Sequence, residues 1–373
     1  MDEARRRPTS PGRRLARLLL APLGLLALLC GLGAAYDAVG DARDARRYPA
    51  PGRLVEVGGG RLHLQCTGAG SPTVVLESGL GSPALVWALV QPETARLTRA
   101  CSYDRRGYGY SDPVGPEPRT AEQIATDLHT LLERGGERGP YVLVGHSLGG
   151  LVARVFAARF PAATAGLVMV DASHEDARTR LPRQRPPDAL IRMLRQGRLV
   201  ARLGVLRLRP GLAGFDPRWH GFRRLPPATL RALTWLALQP KTLAAAEGEV
   251  RAFETSGAQA RAAGATPAQA PGDRAAGGRP LGDRPLVVLA AARRHPDLDY
   301  LPAADADRYY RVWVEELQPA LARLSSRGTL RAIPDSGHSI HLERPDAVIA
   351  AIADVVAQVR ASPAASQSAT TAH

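Results

Sequence analysis

Position 147 is a serine set between two glycines, Gly145-His146-Ser147-Leu148-Gly149, after the apolar run Val142 to Val144 and ahead of a helical pattern over 148 to 160. A strand that turns this sharply into a helix forces the central residue into strained backbone geometry, where a neighbouring Cβ would clash, so both flanks need glycine. The turn lifts the Ser147 hydroxyl to the carboxyl edge of the sheet, and the helix amino terminus behind it favours negative charge. That is the placement nucleophilic acyl transfer needs.

A serine hydroxyl is a weak nucleophile and requires a base that a third group orients. Of nine histidines, His63 reads as a strand residue, His129 as helical surface and His220 as part of an insertion. His338 differs, because Ile333-Pro334-Asp335-Ser336-Gly337-His338 is a loop after the last strand and before the last helix. That loop reaches the same sheet edge as Ser147, and the chain order nucleophile, acid, histidine favours His338 as the base. His341, three residues on, is the alternative, but it leads into Leu342-Glu343-Arg344-Pro345 and reads as a packing residue.

The elements that must hold these residues follow from the alternation of short β-rich runs with helical patterns from residue 53 onward. Strands are expected at 54–57, 61–66, 73–77, 100–103, 141–144, 166–170, 285–289 and 329–333. The first two are joined through Gly58-Gly59-Gly60 as a hairpin. Thr120 with Gln123 forms a capping-box pattern, with Ile124, Leu128, Leu131 and Leu132 on one helical face. Residues 303–324 and 345–360 also read as helical. The insertion 172–284 exceeds an ordinary connection; it holds helical stretches near 188–207, 227–238 and 241–255. Ser256 to Arg284, rich in Ala, Gly and Pro, reads as a mobile loop.

With these motifs the chain resembles the α/β-hydrolase family, in particular its esterase- and lipase-like members with a cap, over about residues 53–360. The resemblance rests on Gly145-His-Ser147-Leu-Gly149, Asp104-Arg-Arg-Gly107-Tyr-Gly109-Tyr-Ser111-Asp112, Ser78-Gly79-Leu80-Gly81, and Gly337-His338 with Glu343-Arg344-Pro345. It implies an α/β fold with an eight-stranded, mostly parallel sheet, helices on both faces, an antiparallel second strand, and a helical cap between strands 6 and 7. The implied core is 53–171 with 285–360, and the implied cap 172–284 with its mobile loop 256–284. The resemblance also maps an oxyanion hole onto the backbone N–H groups of Leu80 and Leu148, where fixed donors would face developing charge without reorganising. Ser78-Gly79 stands where His-Gly is common in the family, a change that leaves backbone donors in place.

The family's commoner acid position, after the seventh strand, has no carboxylate in register in Leu289-Ala-Ala-Ala-Arg293-Arg294-His295-Pro296-Asp297. Asp171, ending the sixth strand, matches the alternative position some members use, so the reading favours Asp171, with Asp297 and then Asp299 as alternatives. The Asp104–Asp112 loop is expected to scaffold, not to catalyse. Cys66 and Cys101 fall on strands that the family topology places side by side; a disulfide and two core thiols are both open. Epoxide hydrolases and haloalkane dehalogenases place Asp where Ser147 stands, which favours ester-type acyl transfer here.

Two other functions compete. Gly79-Leu-Gly81-Ser-Pro-Ala84 after a strand, trailed by Asp104, imitates the fingerprint of a dinucleotide-binding oxidoreductase, but that reading leaves Ser147 and His338 without a task. A non-catalytic, membrane-tethered module of the same fold would leave all three candidate roles idle. No H-E-x-x-H, C-x-x-C or P-loop pattern occurs, so no metal or cofactor is implied.

The 373 residues are 45% apolar with three Cys, which excludes disordered, collagenous and disulfide-scaffold classes. The formal charge of +14 would suggest nucleic acid, but the excess sits in six arginines among residues 1–17 and in the insertion, with no zinc-finger, recognition-helix or stacking pattern. Nucleic-acid binding is not expected. Residues 18–36 are an uncharged run long enough, at about 1.5 Å per residue, to cross a hydrocarbon core of roughly 30 Å. The arginines before it make 1–17 a cytoplasmic tail and send the rest across; a cleaved signal peptide with secretion is the alternative. Residues 37–52 read as a linker and 361–373 as a disordered tail. The expected partners are the membrane and a small acyl substrate; Trp219 and Trp235 of the insertion suggest an apolar acyl pocket, while its Arg-rich rim equally suits anionic substrates.

Overall fold

The computed structural model describes residues 11–115, 119–182, 187–213, 221–264, 279–293 and 301–362, with side chains described from residue 20. His220, Trp219, Asp297 and Asp299, residues 1–10, 265–278 and 363–373 lie outside the described residues, and with them the readings made of those positions.

A long helix, α1 (Pro11–Arg47), precedes a hairpin of β1 (Arg53–Glu56) and β2 (Arg61–Thr67). Gly58 and Gly59 at φ +50° and +82° make its turn, where Val57 N–H donates to the Gly60 carbonyl at 2.7 Å. Then follow β3 (Thr73–Glu77), α2 (Gln91–Leu97), β4 (Ala100–Asp104), α3 (Ala121–Arg134), β5 (Tyr141–His146), α4 (Leu148–Arg159) and β6 (Thr164–Val170). The insertion carries α5 (Ala177–Arg180), α6 (Pro187–Arg202), α7 (Val205–Leu208), α8 (Pro227–Ala237) and α9 (Pro240–Gly264). The chain returns as β7 (Leu286–Ala291), then α10 (Ala303–Arg311), a π-helical segment Val312–Leu317 and α11 (Gln318–Ala322), which run on as one rod. β8 (Gly328–Ile333), α12 (Ile340–Glu343) and α13 (Pro345–Arg360) complete the order.

All eight strands join one sheet in the order β1-β2-β4-β3-β5-β6-β7-β8, with β2 antiparallel to both neighbours and the pairs from β4 onward parallel. The central strands read as unbroken apolar runs because helices cover both faces. Alternation along β5 and β6 sorts their side chains: Leu143, Leu167 and Met169 join α3 and α4 in one core, while Val142, Val144, Val168 and Val170 join α13 in the other. At the start of α3, the Thr120 hydroxyl accepts from Gln123 N–H at 3.3 Å, while the Gln123 side chain turns to Asp127 at 3.0 Å, so half of the expected capping box forms. Cys66 and Cys101, paired in register on β2 and β4, form a disulfide.

Two stretches differ from their sequence reading. Residues 37–47, expected as linker, continue α1, because Asp37, Asp41 and Asp44 fall on one helical face and are held by the insertion: Asp37 and Asp44 by Arg207, Asp41 by the Trp235 indole at 2.6 Å. Residues 256–264, expected as mobile loop, continue α9. There small residues allow close approach to α4, with Ala260 fully buried and its carbonyl accepting from Arg154 at 3.0 Å. The composition that imitates a loop is what a tight helix contact requires.

Candidate active site

Ser147 follows β5 and caps α4 at φ 52°, ψ −120°, a conformation costly for any residue with a Cβ. The flanking glycines are forced by contact. A Cβ on Gly145 would stand 2.5 Å from the Gly149 carbonyl oxygen, and one on Gly149 would stand 2.6 Å from the Glu77 carbonyl oxygen. The bend is pinned by Ser147 N–H to the Val170 carbonyl at 3.2 Å, and by the N–H groups of Gly150 and Ser173 donating to the Ser147 carbonyl, each at 2.9 Å.

Asp171 occupies the equivalent place one strand over, just after β6, and is the other non-glycine residue with positive φ among the described residues, at 42°. Its carboxylate is buried and fully engaged. Oδ1 accepts from Ala291 N–H at 2.9 Å and from the Trp313 indole at 2.8 Å, while Oδ2 accepts from His338 Nδ1 at 2.6 Å. Of the two carboxylates weighed against it, Asp297 and Asp299, neither is among the described residues. An imidazole bonded through Nδ1 to a buried carboxylate can take up a proton at Nε2 and hold the resulting charge.

His338 is held in turn. His146 Nε2–H donates to the His338 carbonyl at 3.0 Å, and Glu343 Oε2 accepts from Gly337 N–H at 3.2 Å while pairing with Arg293. His341 packs inside, fully buried, its ring 4.8 Å from Trp87 and 4.3 Å from His146; burial first, then the neighbouring His338, push its pKa down to about 3. A ring so placed stays neutral at ordinary pH.

Leu80 N–H and Leu148 N–H belong to the segments on either side of Ser147, after β3 and at the first turn of α4. Beneath the first lies a buried ionic network. Arg105 donates to Glu77 at 2.6 Å, to Glu249 of α9 at 2.8 Å, and to the carbonyls of Ser78 and Gly79 at 2.7 and 2.8 Å. Tyr108 OH donates to Glu249 at 2.8 Å and accepts from Gly81 N–H at 3.3 Å. Burial pushes the Glu77 carboxyl up, against the lowering effect of Arg105; burial also lowers Arg105, but Glu249 and Glu77 together hold it well above its usual value.

Ser147, His338, Trp313 and Leu80 line one cavity of about 620 Å³, walled by Leu190 of α6 and by Val250 and Phe253 of α9. That volume is in the range of small-molecule sites. Trp235 is not in it: its indole faces α1, beside a second cavity of about 830 Å³ between α1 and the insertion. The Asp104–Asp112 loop scaffolds. Asp104 accepts from His63 at 2.8 Å, Ala84 N–H at 2.7 Å and Tyr110 N–H at 3.0 Å, and Ala84 opens a 3-10 turn instead of the α-helix a dinucleotide fold requires. Its carboxylate is fully used inside the protein.

A family model described as the alpha/beta hydrolase family matches residues 74–351. The chain belongs to that family. A pimeloyl-[acyl-carrier protein] methyl ester esterase of Sodalis glossinidius is 37% identical over 42% of this chain and 61% of its own length. A putative carbamate hydrolase RutD of Cronobacter sakazakii is 38% identical over 27% of this chain and 38% of its own. In neither does the match reach two thirds of the relative. Among solved structures, an esterase from Thermogutta terrifontis superposes with a TM-score of 0.53 at 24% identity, covering 82% of this chain and 98% of that one. The Cif epoxide hydrolase from Acinetobacter nosocomialis gives 0.62 at 17% identity, covering 87% and 96%. Family membership comes with the mostly parallel eight-stranded fold the sequence led us to expect.

Sequence reasoning missed several contacts that hold the site. Trp313 and Glu249 carry no spacing signal, and the bonds of His146 to the His338 loop and of Arg105 to Glu249 cross more than a hundred residues, although both stand in quoted motifs and Arg105 satisfies backbone carbonyls as expected of its scaffolding loop. Glu343 stood within a quoted motif, yet nothing in its neighbours reveals a bond back to Gly337.

Proposed function

We propose that the protein is a serine hydrolase of carboxylic esters or related acyl compounds, working through Ser147, His338 and Asp171. The observation that carries this is the 2.6 Å bond from His338 Nδ1 to the buried Asp171, with His338 and the strained Ser147 facing one cavity. Ser147 Oγ attacks the carbonyl carbon while His338 Nε2 takes its proton. The Leu80 and Leu148 amides receive the oxyanion, and His338 returns the proton to the leaving alcohol. Water, activated by the same imidazole, then releases the acid and restores Ser147.

Residues 172–284 are the cap in this reading, α6 and α9 giving the acyl group an apolar wall. Residues 18–36 anchor the chain with the hydrolase on the far side of the membrane from the 1–17 tail. Support comes from α1, long and apolar enough from Leu20 to cross a bilayer, with leucines from Leu20 to Leu32 all more than half exposed, and from the Cys66–Cys101 disulfide, which suits an oxidising compartment. A fluorophosphonate probe should label the full-length protein and fail to label Ser147→Ala. Equal labelling of both proteins would reject the assignment.

A further inference from the structure

Outside α1, six large apolar side chains are exposed among the described residues, and three of them, Leu199 (62%), Val205 (37%) and Leu208 (66%), lie within one short stretch of the insertion. The same stretch presents exposed Arg192, Arg195, Arg202 and Arg209. Arg195 shares Glu247 with Arg198 and Arg251, whereas Arg192, Arg202 and Arg209 have no ion pair among the described residues. Arginines interleaved with exposed leucines are the composition of an interfacial helix, whose charged heads reach the headgroups while its apolar side chains enter the acyl boundary.

What covers this patch follows from where it touches α1. A Cβ on Gly33 would stand 2.4 Å from the Leu203 carbonyl oxygen, and one on Gly204 would stand 2.7 Å from the Gly33 carbonyl oxygen, so the bend between α6 and α7 lies directly on α1. Arg207 then clamps Asp37 and Asp44 one and three turns further along. Gly33 belongs to the uncharged run that ends at Tyr36, about 4.5 Å along the axis at 1.5 Å per residue. If that run crosses a bilayer, the α6–α7 bend is held at the headgroup level, and Leu199, Val205 and Leu208 with it.

We infer that the α6–α7 segment of the insertion is a second membrane contact, seated on an anionic bilayer surface beside α1. This rests on the proposed anchor. The contact has a consequence for the candidate site, because the first turn of α6 supplies Pro187 and Leu190 to the 620 Å³ cavity. One helix thus joins the lipid surface to the acyl wall, and the substrate class it fits is an ester of amphiphilic character that partitions into the bilayer.

The test uses the full chain in phosphatidylcholine vesicles with and without phosphatidylglycerol. An environment-sensitive thiol probe is placed at Leu199→Cys or Leu208→Cys in a Cys30→Ser background, at native Cys30 within α1, and at Leu330→Cys on the edge strand β8. Probes at 199 and 208 should be quenched by shallow nitroxide lipids at least threefold more than at 330, shielded from aqueous iodide, and quenched more with phosphatidylglycerol present. If Cys30 is quenched by deep nitroxide lipids while 199 and 208 behave like 330, the anchor stands and this inference falls. If Cys30 is not quenched either, both fall. Quenching at 199 and 208 that ignores phosphatidylglycerol overturns the anionic character of the surface.

Discussion

Replacing Asp171 by Asn should stop the reaction without unfolding the protein, and the hydrogen bonds around the carboxylate say why. Oδ1 takes two N–H donors, from Ala291 and Trp313, and Oδ2 takes one, from His338. An asparagine in this place must keep its oxygen toward the two donors, since turning its amide around would set NH₂ against two N–H groups. Its NH₂ therefore faces His338 Nδ1 and donates to it. The imidazole is forced into the tautomer protonated at Nε2, the nitrogen that accepts the serine proton in the proposed mechanism. Three hydrogen bonds survive in count, so the fold is kept; the base and the charge that stabilises imidazolium are lost. In a comparable triad the same exchange costs about 10⁴ in kcat, equivalent to roughly 5.5 kcal/mol of barrier at about 1.4 kcal/mol per decade. We expect kcat on a short acyl ester to fall by about 10³ to 10⁴ with KM little changed, Tm nearly that of the parent protein, and Asp297→Asn to stay within about threefold. A near-normal kcat for Asp171→Asn, or a collapse confined to Asp297→Asn, refutes the reasoning.

Trp313→Phe keeps an aromatic ring but loses the pyrrole half of the indole and with it one donor to a buried carboxylate, so a loss of at least about 1.5–3 kcal/mol in unfolding free energy is expected by denaturant titration; an unchanged midpoint would show that the 2.8 Å bond contributes nothing. Glu249→Ala leaves Arg105 buried with one of its two carboxylate partners, and such a break costs about 3–5 kcal/mol; hydrogen exchange should report loosening at Ser78 to Gly81, where Arg105 binds the Ser78 and Gly79 carbonyls and Tyr108 OH accepts from Gly81 N–H, and protection equal to the parent's would contradict the network. His341 is neutral in the folded protein down to about pH 3 but takes a proton at about 6.5 when unfolded. The unfolded chain therefore binds more protons across that window, so stability is full above pH 6.5 and falls as pH drops toward 3. His341→Phe should flatten the Tm profile between pH 7.5 and 5, and an unaltered slope would remove His341 from the account.

What was legible in the chain was what repeats or turns locally. The apolar runs of β3, β5, β6 and β7 gave away a buried parallel sheet, and Gly145 and Gly149 marked a bend that no Cβ survives. Composition misled where one residue set serves two structures. The Ala and Gly residues of 256–264 suit a loop and also a helix pressed onto α4, and the aspartates of 37–44 look solvated until Arg207 and Trp235 arrive from a stretch of chain far away. A tryptophan in an insertion suggests a pocket wall toward substrate; the Trp235 indole N–H instead meets a carboxylate on α1, the partner a half-buried indole needs.

The placement of Asp171 has a topological reason. β5 and β6 run parallel, with His146 opposite Val170, so Ser147 and Asp171 each leave their strand at the same level. Both do so with positive φ, and the Ser147 amide bonds to the residue just before Asp171. β7, the next strand out, pairs Leu289 with Val170 and ends one residue past the level of Asp171 in Ala291; it carries no carboxylate there, but the Ala291 backbone N–H donates to Asp171 at 2.9 Å. The loop after β8 reaches back across β7 to bring His338 to Asp171. A carboxylate on β7 in register with Ala291 would compete for Asp171's position and face it at close range with like charge, which disfavours two ionised groups. In the proposed reading, the run of alanines after Leu289 is therefore the counterpart of an acid on β6, and introducing Ala291→Asp should lower activity instead of supplying a second acid. If Ala291→Asp rescued Asp171→Asn to near-parental kcat, the two strand ends would be interchangeable and this account of the geometry would be wrong.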